Sequence, residues 1–207
     1  MRIACNNVDL KVKAPPSKSV YHRELIINFI LGARGDYLDD NEEDNDDIKA
    51  TKSCLKTLLD TESETLIFNC NESGSTLRFM IPVALALKSE ANSKLIFRTK
   101  GRLIDRPITE LAECLEPFGV EITKNKDKNE IEVTGKIGPG EYVIDGSVSS
   151  QYVSGLLMAL AAFDEESEIR VKWNMVSVHY IDLTMKTLEK YGFDVIHVVD
   201  TFYVKKN

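Results

Sequence analysis

The chain has little of what marks several functional classes. Its 26 Lys and Arg are outnumbered by 33 Asp and Glu, giving a formal net charge of −7 with no basic run. That balance argues against a nucleic-acid surface. No apolar run approaches membrane-spanning length, and the first ten residues lack a signal-peptide core, so no membrane is expected as a partner. The four cysteines, Cys5, Cys54, Cys70 and Cys114, are scattered without a Cys-x-x-Cys pair. Such spacing suits reduced thiols in a cytoplasm better than a disulfide frame or a zinc site. The three histidines, His22, His179 and His197, are unclustered. Neither a metal nor a cofactor is expected.

What is present is enough for a sizeable core. With 207 residues, 43% hydrophobic and 29% charged, the chain is either one large domain or two small ones. An acidic protein that binds anions has to concentrate its cations locally, and Lys18, Arg23, Arg102 and Arg106 are placed to do so. The organising stretch is Pro15-Pro16-Ser17-Lys18-Ser19-Val20-Tyr21-His22-Arg23. Its prolines stop the strand-like run at 8–12. Ser17 or Ser19 then caps a helix continuing through Leu31. Free helix N–H groups, a lysine, two serines and an arginine thereby meet at one end, a ready site for phosphate or carboxylate. Taken alone, the same residues also read as an ordinary cap with solvated basic side chains.

Two further stretches repeat the design. Glu72-Ser73-Gly74-Ser75-Thr76-Leu77-Arg78 and Asp145-Gly146-Ser147-Val148-Ser149-Ser150-Gln151 each set small hydroxyl residues before a strongly apolar helix. Between and after them, strands are expected at 65–70, 95–98, 120–123, 130–133, 141–144, 168–173, 193–198 and 201–204. Helices are expected at 48–59, capped by Asn45 or Asp46, at 74–88, from Pro107 through 118, at 150–163 and at 179–191. The acidic run at 36–47 reads as a solvated loop without chemistry. Leu115-Glu116-Pro117-Phe118-Gly119-Val120-Glu121-Ile122 matches Leu188-Glu189-Lys190-Tyr191-Gly192-Phe193-Asp194-Val195, and 55–59 is a weaker copy. Three strand–helix–strand–helix–strand–strand copies after Pro15 are expected from this repeat. The helices at 77–87 and 152–163 are apolar on nearly every face and belong inside. Those at 108–118 and 181–191 are amphipathic, with Glu110, Glu113 and Glu116 or Lys186, Glu189 and Lys190 on the wet side.

Pro-Ser-Lys-Ser-x-x-x-Arg, Gly-Arg-x-x-x-Arg-Pro-Ile at 101–108 and Asp-Gly-Ser-Val-Ser-Ser-Gln, in that order, resemble the 5-enolpyruvylshikimate-3-phosphate (EPSP) synthase family. The last motif is the most specific. The likeness runs from about residue 10 to the C-terminus and covers only the first half of that family's chain. It implies an α/β (α+β) domain of three βαβαββ units, parallel helices inside and strand groups outside, one half of an inside-out barrel. Residues 15–207 are then a shikimate-3-phosphate-binding domain, and residues 1–14 a strand belonging with a second domain absent from this chain. The resemblance further implies transfer of enolpyruvyl from phosphoenolpyruvate to shikimate 3-phosphate, on the route to chorismate and aromatic amino acids. Lys18 is implied between the two substrates, as the catalytic residue of this half. Ser19 and Arg23 hold shikimate 3-phosphate, and Ser149, Ser150 and Gln151 take its phosphate and ring hydroxyls. Ser177 and Tyr180 close the pocket, Arg106 grips phosphoenolpyruvate, and Gly74 lets the backbone approach that ligand.

Each of these residues has a plainer reading: Ser149, Ser150 and Ser177 as caps, Arg106 as a solvated arginine, Gly74 as a turn, Tyr180 as packing. Their joint occurrence in family order favours the functional one. The related transferase acting on UDP-N-acetylglucosamine is the alternative enzyme, though the Asp145–Gln151 loop argues against it. A non-catalytic anion-binding module on the same fold is the other. Glu72 stands where many relatives carry asparagine, and a carboxylate there repels an anion unless it is paired or points away. His179 reads as a surface position near the pocket.

Overall fold

The computed structural model describes residues 17–39 and 41–205; the expected strand in 1–14 lies outside them. Helix α1 spans Lys18–Ile30 and α2 spans Asp46–Thr57. Ser17 occupies the cap position of α1, but its side chain makes no capping bond. Asn45 caps α2 as expected, its side chain accepting from the Ile48 N–H, and Asp46 and Asp47 add negative charge where the helix dipole favours it.

Two copies of one unit follow. In the first, β1 (Thr65–Asn71), α3 (Gly74–Leu87), β2 (Lys94–Thr99), α4 (Thr109–Leu115), β3 (Glu121–Asn125) and β4 (Glu130–Thr134) run in order. In the second come β5 (Glu141–Asp145), α5 (Ser150–Leu160), β6 (Ser167–Lys172), α6 (Val178–Lys190), β7 (Val195–Val198) and β8 (Thr201–Val204). The sheets are ordered β1-β2-β4-β3 and β5-β6-β8-β7. In each, the first two strands are parallel and the rest antiparallel. A parallel pair needs a crossover, supplied by α3 or α5, whereas the last two strands close as a hairpin. The matched segments do end alike: Gly119 and Gly192, both at positive φ, terminate the helical turns before β3 and β7. The third copy is incomplete among the described residues. The segment up to Glu64 supplies α1 and α2 but no strand, because the charge-dense run between them offers no alternating apolar face.

Two expectations about local structure need correction. Pro107 lies ahead of α4 rather than in its first turn, since Ile108 is non-helical with φ −146° and ψ 0°. The helix also tightens after Leu115 into a 3-10 turn, Glu116–Phe118, because Pro117 has no N–H to donate. The acidic run, in turn, is not merely solvated. Asp44 is buried and bonds Lys52 Nζ at 2.6 Å, both side chains at most 5% exposed, while the same ammonium donates to the Asp39 carbonyl at 2.7 Å. This clamp fixes the loop against α2 and so positions Asp47.

Helices α3 and α5 are buried on nearly every side. They touch most closely at Gly155, where a Cβ would lie 2.8 Å from the Arg78 carbonyl oxygen and 3.0 Å from Pro82 Cγ. Pro82, inside α3, leaves that carbonyl without its usual helical donor. Contacts recur at matched steps: Lys18–Asp47 and His22–Thr51 join α1 to α2, while Arg23–Thr184 and Asn28–Tyr191 join α1 to α6. The helices therefore run parallel and start at one end of the bundle. Glu113 and Glu116 of the amphipathic segment are exposed, but Glu110 is half-buried, and its Oε2 has no partner among the described residues. Cys54, Cys70 and Cys114 are buried free thiols. No helix among the described residues is long and apolar enough to cross a membrane.

Two substitutions probe this framework. Gly155→Ala forces α3 and α5 apart and is expected to destabilise by about 1–3 kcal/mol, read from the urea midpoint. Lys52→Met strands a buried carboxylate and is expected to cost about 3–5 kcal/mol. An unchanged midpoint in either variant contradicts the packing described.

Candidate functional site

Four helix N-termini open onto one cavity of about 260 Å³, walled by Lys18, Ser19, His22, Arg23, Ser75, Phe79, Gln151 and Tyr180. These residues come from the first two turns of α1, α3, α5 and α6, which explains how loops far apart in sequence meet. Unpaired helix N–H groups and the dipoles behind them favour an anion there.

Arg23 dominates the electrostatics. It is 2% exposed, and its guanidinium has no carboxylate partner among the described residues. Nε donates to Thr184 Oγ1 at 2.6 Å, and Nη1 to the Ser19 carbonyl at 2.6 Å. Nη2 donates to Ser154 Oγ at 3.3 Å and to the Tyr180 carbonyl at 3.0 Å. The group also lies 5.0 Å over the Phe79 ring. Burial lowers its pKa to about 10, so it remains cationic at neutral pH. Four of five guanidinium protons are thus taken by neutral acceptors, leaving one on Nη1. Net positive charge persists beside the cavity.

Lys18 is tied differently. Its Nζ bonds Asp47 Oδ2 at 2.6 Å with both side chains partly exposed. Burial pushes the Asp47 carboxyl up, but the Lys18 and Ser73 hydrogen bonds and the Lys18 charge outweigh it and hold the pKa low. A chain of buried groups runs back from this pair. Thr76 Oγ1 donates to Ser73 Oγ at 2.7 Å, Thr51 and Thr76 hydroxyls meet at 2.8 Å, and His22 Nδ1 meets Thr51 Oγ1 at 2.8 Å. An ionised carboxylate only accepts, so each hydroxyl passes its proton toward Asp47 and receives one from behind. His22 then carries its proton on Nδ1, and its buried Nε2 is without a partner among the described residues.

The remaining assigned residues sit around this wall. Gln151 Oε1 accepts from Arg78 Nη1 at 2.7 Å, and its Nε2 donates to Ser75 Oγ at 2.8 Å. Ser149 caps α5, accepting weakly from the Gln151 N–H at 3.3 Å, and Ser150 is its buried first residue. Ser177 precedes α6 in a left-handed conformation, φ 53° and ψ 45°, exposed and without a capping bond. Gly74 opens α3, where a Cβ would meet Arg78 Nη1 only at 3.5 Å, ordinary contact. Arg106 is exposed on the loop before α4; Lys124 holds its carbonyl at 2.5 Å, while its guanidinium has no partner among the described residues. Gly74, Ser149, Ser150 and Ser177 therefore flank the cavity's helix starts without forming its wall, and Arg106, before α4, is not brought to it. The Glu72 carboxylate lies against Gly101, 3.0 Å from where a Cβ would stand, and is not part of the wall. His179 is exposed, its ring 4.3 Å from that of Tyr180 and tilted 40° to it.

Sequence reading missed Asp47, His22, Ser75 and Arg78. The last three lie inside motifs already singled out; His22 and Ser75 face the cavity from helix starts, and Arg78 stands behind Gln151. Asp47 was hidden in the acidic run. Among the described residues no cluster of His, Cys, Asp and Glu suits a metal ion.

His22 supplies a pH test. Burial, opposed by Asp47 and reinforced by Lys18 and Arg23, lowers its pKa from 6.5 to about 4. The unfolded chain therefore binds more protons between these values, so the contribution is complete above pH 6.5 and is lost as pH falls toward 4. Wild type is expected to lose ~3 kcal/mol more than His22→Asn between pH 7 and pH 4 in denaturant titrations. Equal losses in both proteins contradict the buried neutral imidazole.

Comparison with known proteins bears on the whole arrangement. The family model described as EPSP synthase (3-phosphoshikimate 1-carboxyvinyltransferase) matches residues 4–207. A 3-phosphoshikimate 1-carboxyvinyltransferase of Clostridium perfringens (strain ATCC 13124) is 34% identical over 198 residues, covering 87% of this chain and 45% of that protein. One from Clostridium novyi (strain NT) is 32% identical over 222 residues, covering 94% and 49%. An EPSP synthase structure from Acinetobacter baumannii superposes with a TM-score of 0.66 at 17% identity, over 95% of this chain and 47% of that one, which supports the fold. The chain thus spans about half the length of the curated relatives it matches. On the family match, and with the repeat architecture agreeing, this chain belongs to the EPSP synthase (3-phosphoshikimate 1-carboxyvinyltransferase) family.

Proposed function

We propose that this chain is the shikimate-3-phosphate-binding half of an EPSP synthase. The observation that carries this reading is a buried guanidinium without a counter-ion among the described residues, set where four helix N-termini meet. A buried charge of this kind is expensive unless something completes its pairing, and a phosphorylated or carboxylated ligand does so. In this reading Lys18 contacts both substrates, Ser19 and the spare Arg23 proton hold shikimate 3-phosphate, and Ser149, Ser150 and Gln151 take its phosphate and hydroxyls. Ser177 and Tyr180 close over it. Arg106 and the backbone at Gly74 serve phosphoenolpyruvate. Fixed cations and oriented N–H groups stabilise charge without a metal, since they need no reorganisation as it moves.

Transfer of enolpyruvyl from phosphoenolpyruvate to shikimate 3-phosphate, with release of phosphate, is the proposed reaction of the full assembly. A second domain, in cis or as a separate chain, supplies the acid–base groups and excludes water. Residues 15–207 form the binding domain in this proposal, and 1–14 belong with the second one. Buried free thiols support a cytoplasmic setting.

Calorimetric titration of the chain with shikimate 3-phosphate tests the reading. Saturable binding is expected, with little or no turnover. Ser149→Ala and Arg23→Lys are each expected to weaken it by roughly 1–3 kcal/mol, the range for losing a hydrogen bond to a charged group. Unchanged affinity in both variants refutes the placement. Adding a separately expressed C-terminal half of a relative is expected to restore phosphate release; failure leaves a non-catalytic binding module.

A further inference from the structure

We propose that Arg78 is a positioning residue that converts Gln151 and Ser75 into a pair of hydrogen-bond donors facing the ligand. The inference rests on the anion-binding reading above and adds two residues to it.

The argument starts from what a guanidinium can do. It has only donors, so the Gln151 atom 2.7 Å from Arg78 Nη1 must be the amide oxygen. The orientation of an amide is ordinarily a matter of assignment; here the chemistry of the partner decides it. With Oε1 held toward Arg78, Nε2 is turned toward Ser75 Oγ, 2.8 Å away. One Nε2 proton is spent on that oxygen and the other remains. Ser75 Oγ, having accepted, keeps its own proton to donate. Gln151 and Ser75 both line the cavity, whereas Arg78 does not. Two donors and no competing amide acceptor are therefore presented to the occupant, which fits a carboxylate or phosphate oxygen.

Arg78 is built in for this. It has no carboxylate partner among the described residues, lies 5.6 Å over the Tyr152 ring, and is bordered by Gly74 at 3.5 Å. Tyr152 is itself anchored by donating to the Pro107 carbonyl at 2.7 Å. Without Arg78 the Gln151 amide is free to turn over and present its oxygen, which repels an anion. The geometry makes Arg78 a selector of ligand charge that acts through its neighbour.

Two measurements test this. The first needs no ligand: the Gln151 side-chain amide is followed by ¹⁵N NMR in wild type, Arg78→Lys and Arg78→Gln. Lysine is still donor-only, whereas glutamine brings an acceptor. The amide signals are expected to keep their positions in Arg78→Lys and to move in Arg78→Gln while the backbone spectrum stays unchanged. Should Arg78→Gln fail to fold, Ser75→Ala, at a half-buried position, is expected to move one of the two Nε2 protons only. The second is a double-variant cycle with shikimate 3-phosphate as probe. Arg78→Gln is expected to weaken binding about tenfold when Gln151 is present and less than twofold in a Gln151→Met background. Equal losses in both backgrounds, or amide signals indifferent to Arg78, overturn the proposal. If wild type binds no shikimate 3-phosphate, the functional reading fails, while the amide signals still decide the role of Arg78.

Discussion

The architecture depends on one buried cation. Arg23 leaves α1 and is received by Ser154 of α5 and by Tyr180 and Thr184 of α6, so a single guanidinium joins three helices at their starts. Burying it is tolerable because its partners are oriented carbonyls and hydroxyls, while among the described residues those helix ends bring no carboxylate to neutralise it. Had a glutamate stood at Thr184, the bundle would have an internal ion pair and no residual charge to offer a ligand. The choice of neutral partners is thus what leaves a packing element with unneutralised positive charge beside the cavity.

Around that cation, close helix approach does the rest. Gly155 and Pro82 bring α5 against α3, setting Gln151 beside Ser75 and Arg78. The Asp44–Lys52 clamp performs the same service for α2, holding the start of that helix where Asp47 reaches Lys18. Sheets of identical strand order lie on the units that carry α3 and α5. They supply rigid ends from which the hydroxyl-rich loops project. Precision at the cavity comes from these strand ends and helix starts rather than from long loops.

Much of this was legible in the residues themselves. Hydroxyl-rich segments before apolar helices located α1, α3 and α5. The matched segments ending at Gly119 and Gly192 announced the two complete units, although three were expected. What escaped was of another kind. Pro107 reads as a helix opener, but local backbone at Ile108 rejects that role, and propensity carries no trace of it. Asp44 and Asp47 look like two more charges in a solvated run, because pairing with Lys52 and Lys18 is a tertiary fact without a sequence period. The hydroxyl chain from Asp47 to His22 spans three helices, and threonines in apolar helices are indistinguishable in sequence from filler. Periodicity reports which face is buried; it does not report which polar atoms meet there.

The position of Arg23 has a thermodynamic corollary. The guanidinium that faces the cavity also holds α1, α5 and α6 together, so the cavity exists only while the bundle is assembled. Any ligand that completes the guanidinium's pairing binds the assembled state and not the unfolded chain, and adds RT ln(1 + [L]/Kd) to its stability. At a hundredfold excess over Kd this amounts to about 2.7 kcal/mol, comparable with the marginal reserve of many domains. Occupancy and rigidity in this protein are therefore a single equilibrium, and the concentration of any such ligand sets how tightly the helices are held.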